Sequence, residues 1–288
     1  MGVVVNTNIS SITASRILSE NRADLEKAME RLASGKRINS AADDAAGMAV
    51  AAKMRADITS LNQSVRNTND AISLVNTYDG AAAEIESILI RMRELAVQAN
   101  NGTYETADRT NANYEYTALS NEITRIAGVS AFNRKMLAQG STGAAGGTGI
   151  QDTTFSFYVG SDVAKTGNTI NFDAKALDLN QAASATQLFN VGTPGAAASA
   201  IASLDDAISE LAANRAQAGA LVNRLEHTVS NLMNVSQRLQ EAVSGIEDAD
   251  YAAESANLAR GMVLAQAGTA MLAQANQAPQ YILTLLRG

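Results

Sequence analysis

Two acidic groups could do chemistry. Asp43 and Asp44 are adjacent, and Glu247, Asp248 and Asp250 form a second cluster. Carboxylates this close could share a proton for acid–base work or hold a hard cation through oxygen. A calcium loop needs twelve residues with Gly near its middle, and neither stretch has that frame. Carboxylates just ahead of a helix satisfy its first N–H groups and meet its positive end. The spacing predicts that role, or pairing with Lys and Arg of neighbouring copies. His227 is the single histidine and there is no cysteine, so a metal site has no second soft ligand, and His227 reads as a solvated helix residue. The run GAAGGTG lacks a following Lys-Ser/Thr and a preceding strand, so it is not a phosphate loop. No nucleophile–base pair, metal cluster or cofactor loop remains. The expectation is no enzyme and no cofactor.

The whole chain narrows the classes further. Its 288 residues carry a net charge of −7 without a Lys/Arg cluster, which argues against nucleic acid. No run approaches the ~18 apolar residues of a membrane span. The start, MGVVVNTNISS, has neither a basic n-region nor a long apolar h-region, so no cleaved secretory signal is expected. Met1-Gly2 is followed by Asn6 where a myristoylation start wants Ser or Thr. Absence of cysteine fits the cytosol, and it equally fits a chain exported unfolded. Low aromatic content, with no Trp and five Phe, suits slender helix-on-helix packing, and two prolines leave room for very long helices.

Hydrophobic periodicity supplies the elements. A first helix is expected over about 5–33: Val5, Ile9 and Ile12, then a phase slip, then Leu18, Leu25, Met29 and Leu32, ended by Gly35. A second begins near Asp43 and runs to Asn101-Gly102, with Asp79-Gly80 as a place for a bend. A third, antiparallel to it, carries Tyr116, Leu119, Ile123 and Ile126 and ends at Gly128. TFSFYVG and NTINF alternate apolar and polar residues as half-buried strands do, and predict a small hairpin.

Thr193-Pro194 then opens the clearest pattern, Thr as N-cap and Pro at the first helical position. Leu204, Leu211, Ala218, Leu225, Leu232, Leu239 and Ile246 recur every seventh residue. Ile201, Ile208, Val222, Val229 and Val243 fill companion positions, and Arg215 and Ser236 break them. The helix after Met54 is the expected partner of this seam. A last helix should run from Tyr251 to about Ala275, with Leu258, Met262, Ala265 and Leu272 on one face, followed by a tail holding Leu283 and Leu286.

The expected fold is therefore mainly α: a long antiparallel helical hairpin or coiled-coil bundle with a small central β-hairpin. Residues 1–40 form an N-terminal inner-core helix, 41–140 rod helices, 141–195 the hairpin and loop region, 196–246 a C-terminal rod helix and 247–288 a C-terminal inner-core helix. The two end helices could pair, but two helices leave much of each apolar stripe uncovered. Covering it with further copies is an open-ended contact, and open-ended contacts build filaments. The joint at 34–50 reorients the chain between layers. Gly35 stops one helix, Ser40 caps or turns, and Asp43 and Asp44 favour the next. Lys36, Arg37, Asp43, Asp44, Asp248 and Asp250 are expected to serve the joints and contacts between subunits. Ile9, Ile12, Leu18, Leu25, Leu32, Leu258, Met262, Leu272, Leu283 and Leu286 are expected to serve inner-core assembly.

The blocks RLASGKRINSAADDAAGMAV, RELAVQANNGT, IEDADYAAE and LAQANQAPQYILTLLRG occur in the order and position they hold in bacterial flagellins, and the chain resembles that family. Lys36 stands where Leu is common, Ala42 where Lys is common, and Gly288 extends past the usual terminal Arg. The short middle resembles forms lacking large outer variable domains. The resemblance implies an extracellular flagellar filament built of copies of this chain, with the terminal helices as its inner layer. It implies export without a cleaved signal, an export chaperone at the C-terminal helix, a filament cap protein and hook-associated junction proteins. It also implies recognition by a host toll-like receptor through Arg91, Leu95 and Glu115. Two other readings stay open: a hook–filament junction protein, and a soluble coiled-coil signalling or scaffold protein.

Overall fold

A computed structural model describes residues 7–137, 141–142, 150–151, 153–160, 167–174 and 191–287. Among the described residues there are five helices: α1 (Ile9–Ser34), α2 (Ala45–Asn100), α3 (Thr106–Val129), α4 (Pro194–Glu247) and α5 (Tyr251–Arg287). Three two-stranded antiparallel sheets accompany them. They pair β1 (Ala131–Phe132) with β2 (Lys135–Met136), β3 (Ser141–Thr142) with β4 (Ile150–Gln151), and β5 (Thr153–Tyr158) with β6 (Thr169–Ala174). The chain forms two compact units, Met1–Ile58 with Gln237–Gly288, and Thr59–Ser236.

In the Thr59–Ser236 unit the heptad seam of α4 meets α2. Arg93 pairs with Asp205, Arg215 with Asp79 and Glu86, and Ser236 donates to Asn62. Residue numbers rise on one helix as they fall on the other, so the two run antiparallel. Leu204, Leu211, Ala218 and Leu225 are buried as the sevenfold pattern requires. The companion row differs. Ala200, Ala207 and Asn214 are the buried companions, while Ile201, Ile208 and Val222 pack at the margin. Small side chains let two backbones approach, and a hydropathy pattern gives them little weight.

The two lapses in the seam have polar partners. Arg215 Nε donates to Asp79 Oδ1 at 2.9 Å and its Nη1 donates to Glu86. Ser236 Oγ reaches Asn62 Oδ1 at 3.2 Å. No break occurs at Gly80, because Tyr78, Ala82 and Ile85 on either side are fully buried and hold α2 as one helix.

Helix α3 packs antiparallel on α2, as Arg109 Nε donating to the Ala99 carbonyl at 2.8 Å shows. It passes Gly128 and ends at Ser130, whose N–H donates to the Ile126 carbonyl. The β5–β6 hairpin has the expected alternation, with Phe155 opposite Phe172 and Phe157 opposite Ile170. Phe172 meets Tyr78 edge-to-face with ring centroids 5.3 Å apart. Ser64 donates to the Gly160 carbonyl at 2.8 Å and seats the hairpin on α2. Sequence reading missed β1–β2, whose turn puts both Asn133 and Arg134 at positive φ. That is the two-residue geometry usually marked by Asn-Gly. It also missed the β3–β4 ladder within the Gly-rich stretch, most of which lies outside the described residues.

In the other unit, α1 and α5 pair antiparallel. Ser11, Ala14, Leu18, Asn21, Leu25, Ala28 and Leu32 step by threes and fours along the covered side of α1, and Leu258, Gly261, Ala265, Gly268 and Leu272 do so on α5. Leu18 lies against Gly268 and Leu25 against Gly261. The apparent phase slip in α1 is thus two faces: Leu18, Leu25 and Leu32 turn toward α5, while Ile9 and Ile12 do not.

Candidate functional site

The two charged joints meet each other within one chain. Gly35, at φ +70°, ends α1 with its N–H on the Arg31 carbonyl. Past it the chain runs antiparallel to residues 247–249. Arg37 N–H donates to the Glu247 carbonyl at 2.6 Å and Ala249 N–H to the Gly35 carbonyl at 3.0 Å, a minimal ladder with Lys36 opposite Asp248. The Arg37 guanidinium donates to the Ile246 carbonyl at 2.6 Å. At the centre is Glu247, 5% exposed, 2.7 Å from Arg55 and 3.9 Å from Lys36. Lys36, Arg37 and Asp248 therefore have partners within their own chain. Nothing local singles out Glu247, because its cations stand 192 and 211 positions away.

The other acidic residues have distinct local tasks. Asp44 Oδ1 accepts the Gly47 N–H at 2.8 Å and caps α2. Gly47 is needed there, since a Cβ would come within 2.9 Å of both the Asp44 carboxyl carbon and Ile38 Cδ1. Asp250 Oδ1 accepts the Ala252 and Ala253 N–H groups at 2.9 and 3.2 Å and caps α5. Asp43 does not cap a helix. Its carboxylate closes the preceding turn, accepting the Ser40 N–H at 2.9 Å, the Ser40 hydroxyl at 3.1 Å and the Asn39 N–H at 3.2 Å. The Ser40 N–H, with its hydroxyl, holds the Asp43 carboxyl below the ordinary range.

Beyond the joint, the α1–α5 pair leaves a large apolar surface in solvent. Ile9, Ile12, Ile17 and Met29 on α1 and Tyr251, Met262, Val263, Leu264 and Met271 on α5 are exposed. Ile17, Leu18, Leu264 and Met271 help line a groove of about 510 Å³ along the pair. Met262 leaves the face expected for it: Leu258, Ala265 and Leu272 turn toward α1, one position away from its own direction. Helix α5 continues past Ala275 to Arg287. The side chains of Leu283 and Leu286 lie outside the described residues.

Of the residues expected to meet a receptor, two come together. Arg91 and Glu115 form an exposed ion pair at 2.9 Å, with Glu94 also 2.9 Å from Arg91. The bonds to Glu94 and Glu115 raise the Arg91 pKa above its ordinary value. Leu95 is not on that surface. It is 3% exposed and belongs to the core with Met92, Ala96 and Ala99. His227 is exposed, and the described residues contain no cluster of three metal-ligating side chains.

Comparison with known proteins points to one family. The profile of the bacterial flagellin N-terminal helical region matches residues 5–142, and that of the C-terminal helical region matches residues 201–286. The chain is 42% identical over 287 residues to the flagellin of Halalkalibacterium halodurans, covering 99% of this chain and all of the relative. It is 38% identical to the flagellin of Bacillus subtilis, covering 98% of this chain and 99% of that one. A crystal structure of Bacillus cereus flagellin is similar at 32% identity and a TM-score of 0.49, over 58% of this chain and 88% of that chain. With both profiles matched and full-length identity of this order, the chain belongs to the bacterial flagellins.

Proposed function

We propose that copies of this chain stack through the exposed faces of the α1–α5 pair to build the flagellar filament. The chain is a structural filament subunit for swimming motility and not an enzyme. One observation carries the choice of surface. Met262, Val263 and Leu264 are consecutive, and they are 53, 66 and 52% exposed. Consecutive helix residues are turned by about 100° from one another. These three therefore face three directions, and α1 can cover only one side of α5. Several neighbouring copies are needed to cover the others, which is the geometry of a polymer and not of a closed dimer.

Deleting residues 1–33 or 251–288 tests this reading. Either truncation should leave the Thr59–Ser236 unit helical and stop seeded polymerisation, and filaments from either would overturn it. The double variant Val263→Gln/Met271→Gln is the finer test. Removing two apolar contacts of about 1.5 kcal/mol each should raise the critical concentration on the order of 100-fold.

The remaining partners are those that the resemblance to flagellins implies. An export chaperone binding the C-terminal helix would cover the apolar side chains of α5 before assembly. Export without a cleaved signal suits a chain with no cysteine to crosslink. A cap protein and hook-associated junction proteins would meet copies at the two ends of the filament. A host toll-like receptor would engage the surface around Arg91 and Glu115, with Leu95 supporting it from beneath. Reporter cells exposed to depolymerised protein should respond, and respond less to Arg91→Ala.

A further inference from the structure

Helix α5 contains Pro279 and is helical on both sides of it. Proline has no N–H, so the carbonyl four residues earlier, that of Ala275, loses its intrahelical donor. That carbonyl has another donor: Asn8 Nδ2 reaches it at 2.7 Å from the start of α1. The same side chain works in the opposite sense with its oxygen. Asn8 Oδ1 accepts the Ser11 N–H at 3.1 Å and caps α1. One turn on, Ser11 Oγ donates to Asn276 Oδ1 at 2.7 Å.

We infer that Asn8 is a two-ended clasp that starts α1 and at the same time carries α5 across Pro279. The amide is suited to this because it holds a donor and an acceptor on one short side chain. Ser, Thr or Asp could cap α1 as well, but none of them places an N–H on the Ala275 carbonyl. Asn8 is therefore a positioning residue for the last turns of α5. It also fixes register, since a one-turn slip of α1 along α5 removes both its bond and that of Ser11. The clasp is independent of which partner covers the apolar faces.

The test separates the two ends. Asn8→Asp keeps the cap acceptor and loses the donor. Pro279→Ala returns the N–H that the Ala275 carbonyl lacks. Hydrogen exchange is followed at the amides of residues 276–287 in the full chain, as monomer and as filament. Asn8→Asp should speed exchange there about fivefold, the effect of one neutral hydrogen bond, with little change at Ser11. In a Pro279→Ala background the same substitution should have almost no effect. An unchanged rate in Asn8→Asp, an equal loss in both backgrounds, or wild-type amides at 276–287 that exchange as fast as an unfolded chain would each overturn the inference.

Discussion

Leu18 rests on Gly268 across the α1–α5 seam, and a Cβ at position 268 would sit 3.2 Å from Leu18 Cδ1. Gly261 is looser, with Leu25 Cδ1 3.5 Å from the same imagined atom. The two glycines should respond differently to substitution. Gly261→Ala should hold or raise stability by up to about 1 kcal/mol, because Ala is the better helix former. Gly268→Leu should prise the helices apart at Leu18 and cost about 1–3 kcal/mol. Thermal unfolding followed by circular dichroism gives the order, and equal effects at both positions would count against this seam.

Glu247 offers a test of the joint. Its buried carboxylate lies 2.7 Å from Arg55 and 3.9 Å from Lys36. Arg55→Ala removes the closer cation and leaves the charge, whereas Glu247→Gln removes the charge and keeps the volume. A buried charge without its cation costs more than a lost pair. Arg55→Ala should cost about 2 kcal/mol and Glu247→Gln about 1 kcal/mol in denaturant titrations. The reverse order would mean that Lys36 alone suffices.

Much of this architecture was legible in the sequence. The sevenfold leucines of α4, the stop at Gly35, the Thr193 start and the alternating Phe155 and Phe172 strands each state their own geometry locally. What stayed hidden depended on contacts distant in sequence. The buried companions of the leucines are alanines and an asparagine, which carry little hydropathy signal. Glu247 is one acidic residue among several until Arg55 and Lys36 arrive around it. Leu95 falls within a block that resembles a receptor-binding motif, yet its spacing from Met92 and Ala99 is that of a core residue. Pro279 reads as a helix end unless the distant Asn8 is known to serve the Ala275 carbonyl.

Arg215 looks like a flaw in the seam, and replacing it tests whether it is one. Arg215→Leu would put an apolar side chain in the marginal row of Ile201, Ile208 and Val222. It would also leave Asp79 and Glu86 without the cation they share. The expected result is a loss of about 1–2 kcal/mol despite the better heptad. A more stable variant would show that the polar pair is dispensable.

Asp205 and Asp43 contribute to an acid dependence. Asp205 is held below its ordinary value of 3.8 by its bonds to Arg93, and Asp43 by the Ser40 N–H and hydroxyl. A carboxyl with a lowered folded pKa stabilises the fold above its unfolded value, and this contribution fades as pH falls through the folded value. The loss should therefore begin just under pH 4 and continue downward. Carboxyl-carbon NMR titration should give both residues midpoints below 3.8, and a midpoint at or above that value would remove the effect.

Neighbouring copies are proposed to cover the apolar faces of the α1–α5 pair. Methionine oxidation reads this directly, because peroxide converts accessible Met to the sulfoxide and spares buried Met. Met29, Met262 and Met271 are exposed in the single chain and Met92 is buried. Monomer and filament are treated with hydrogen peroxide, and each site is quantified by mass spectrometry. Met262 and Met271 should oxidise readily in monomer and at least about tenfold more slowly in filament, with Met92 slow in both. Equal rates at Met262 and Met271 in the two forms would contradict it.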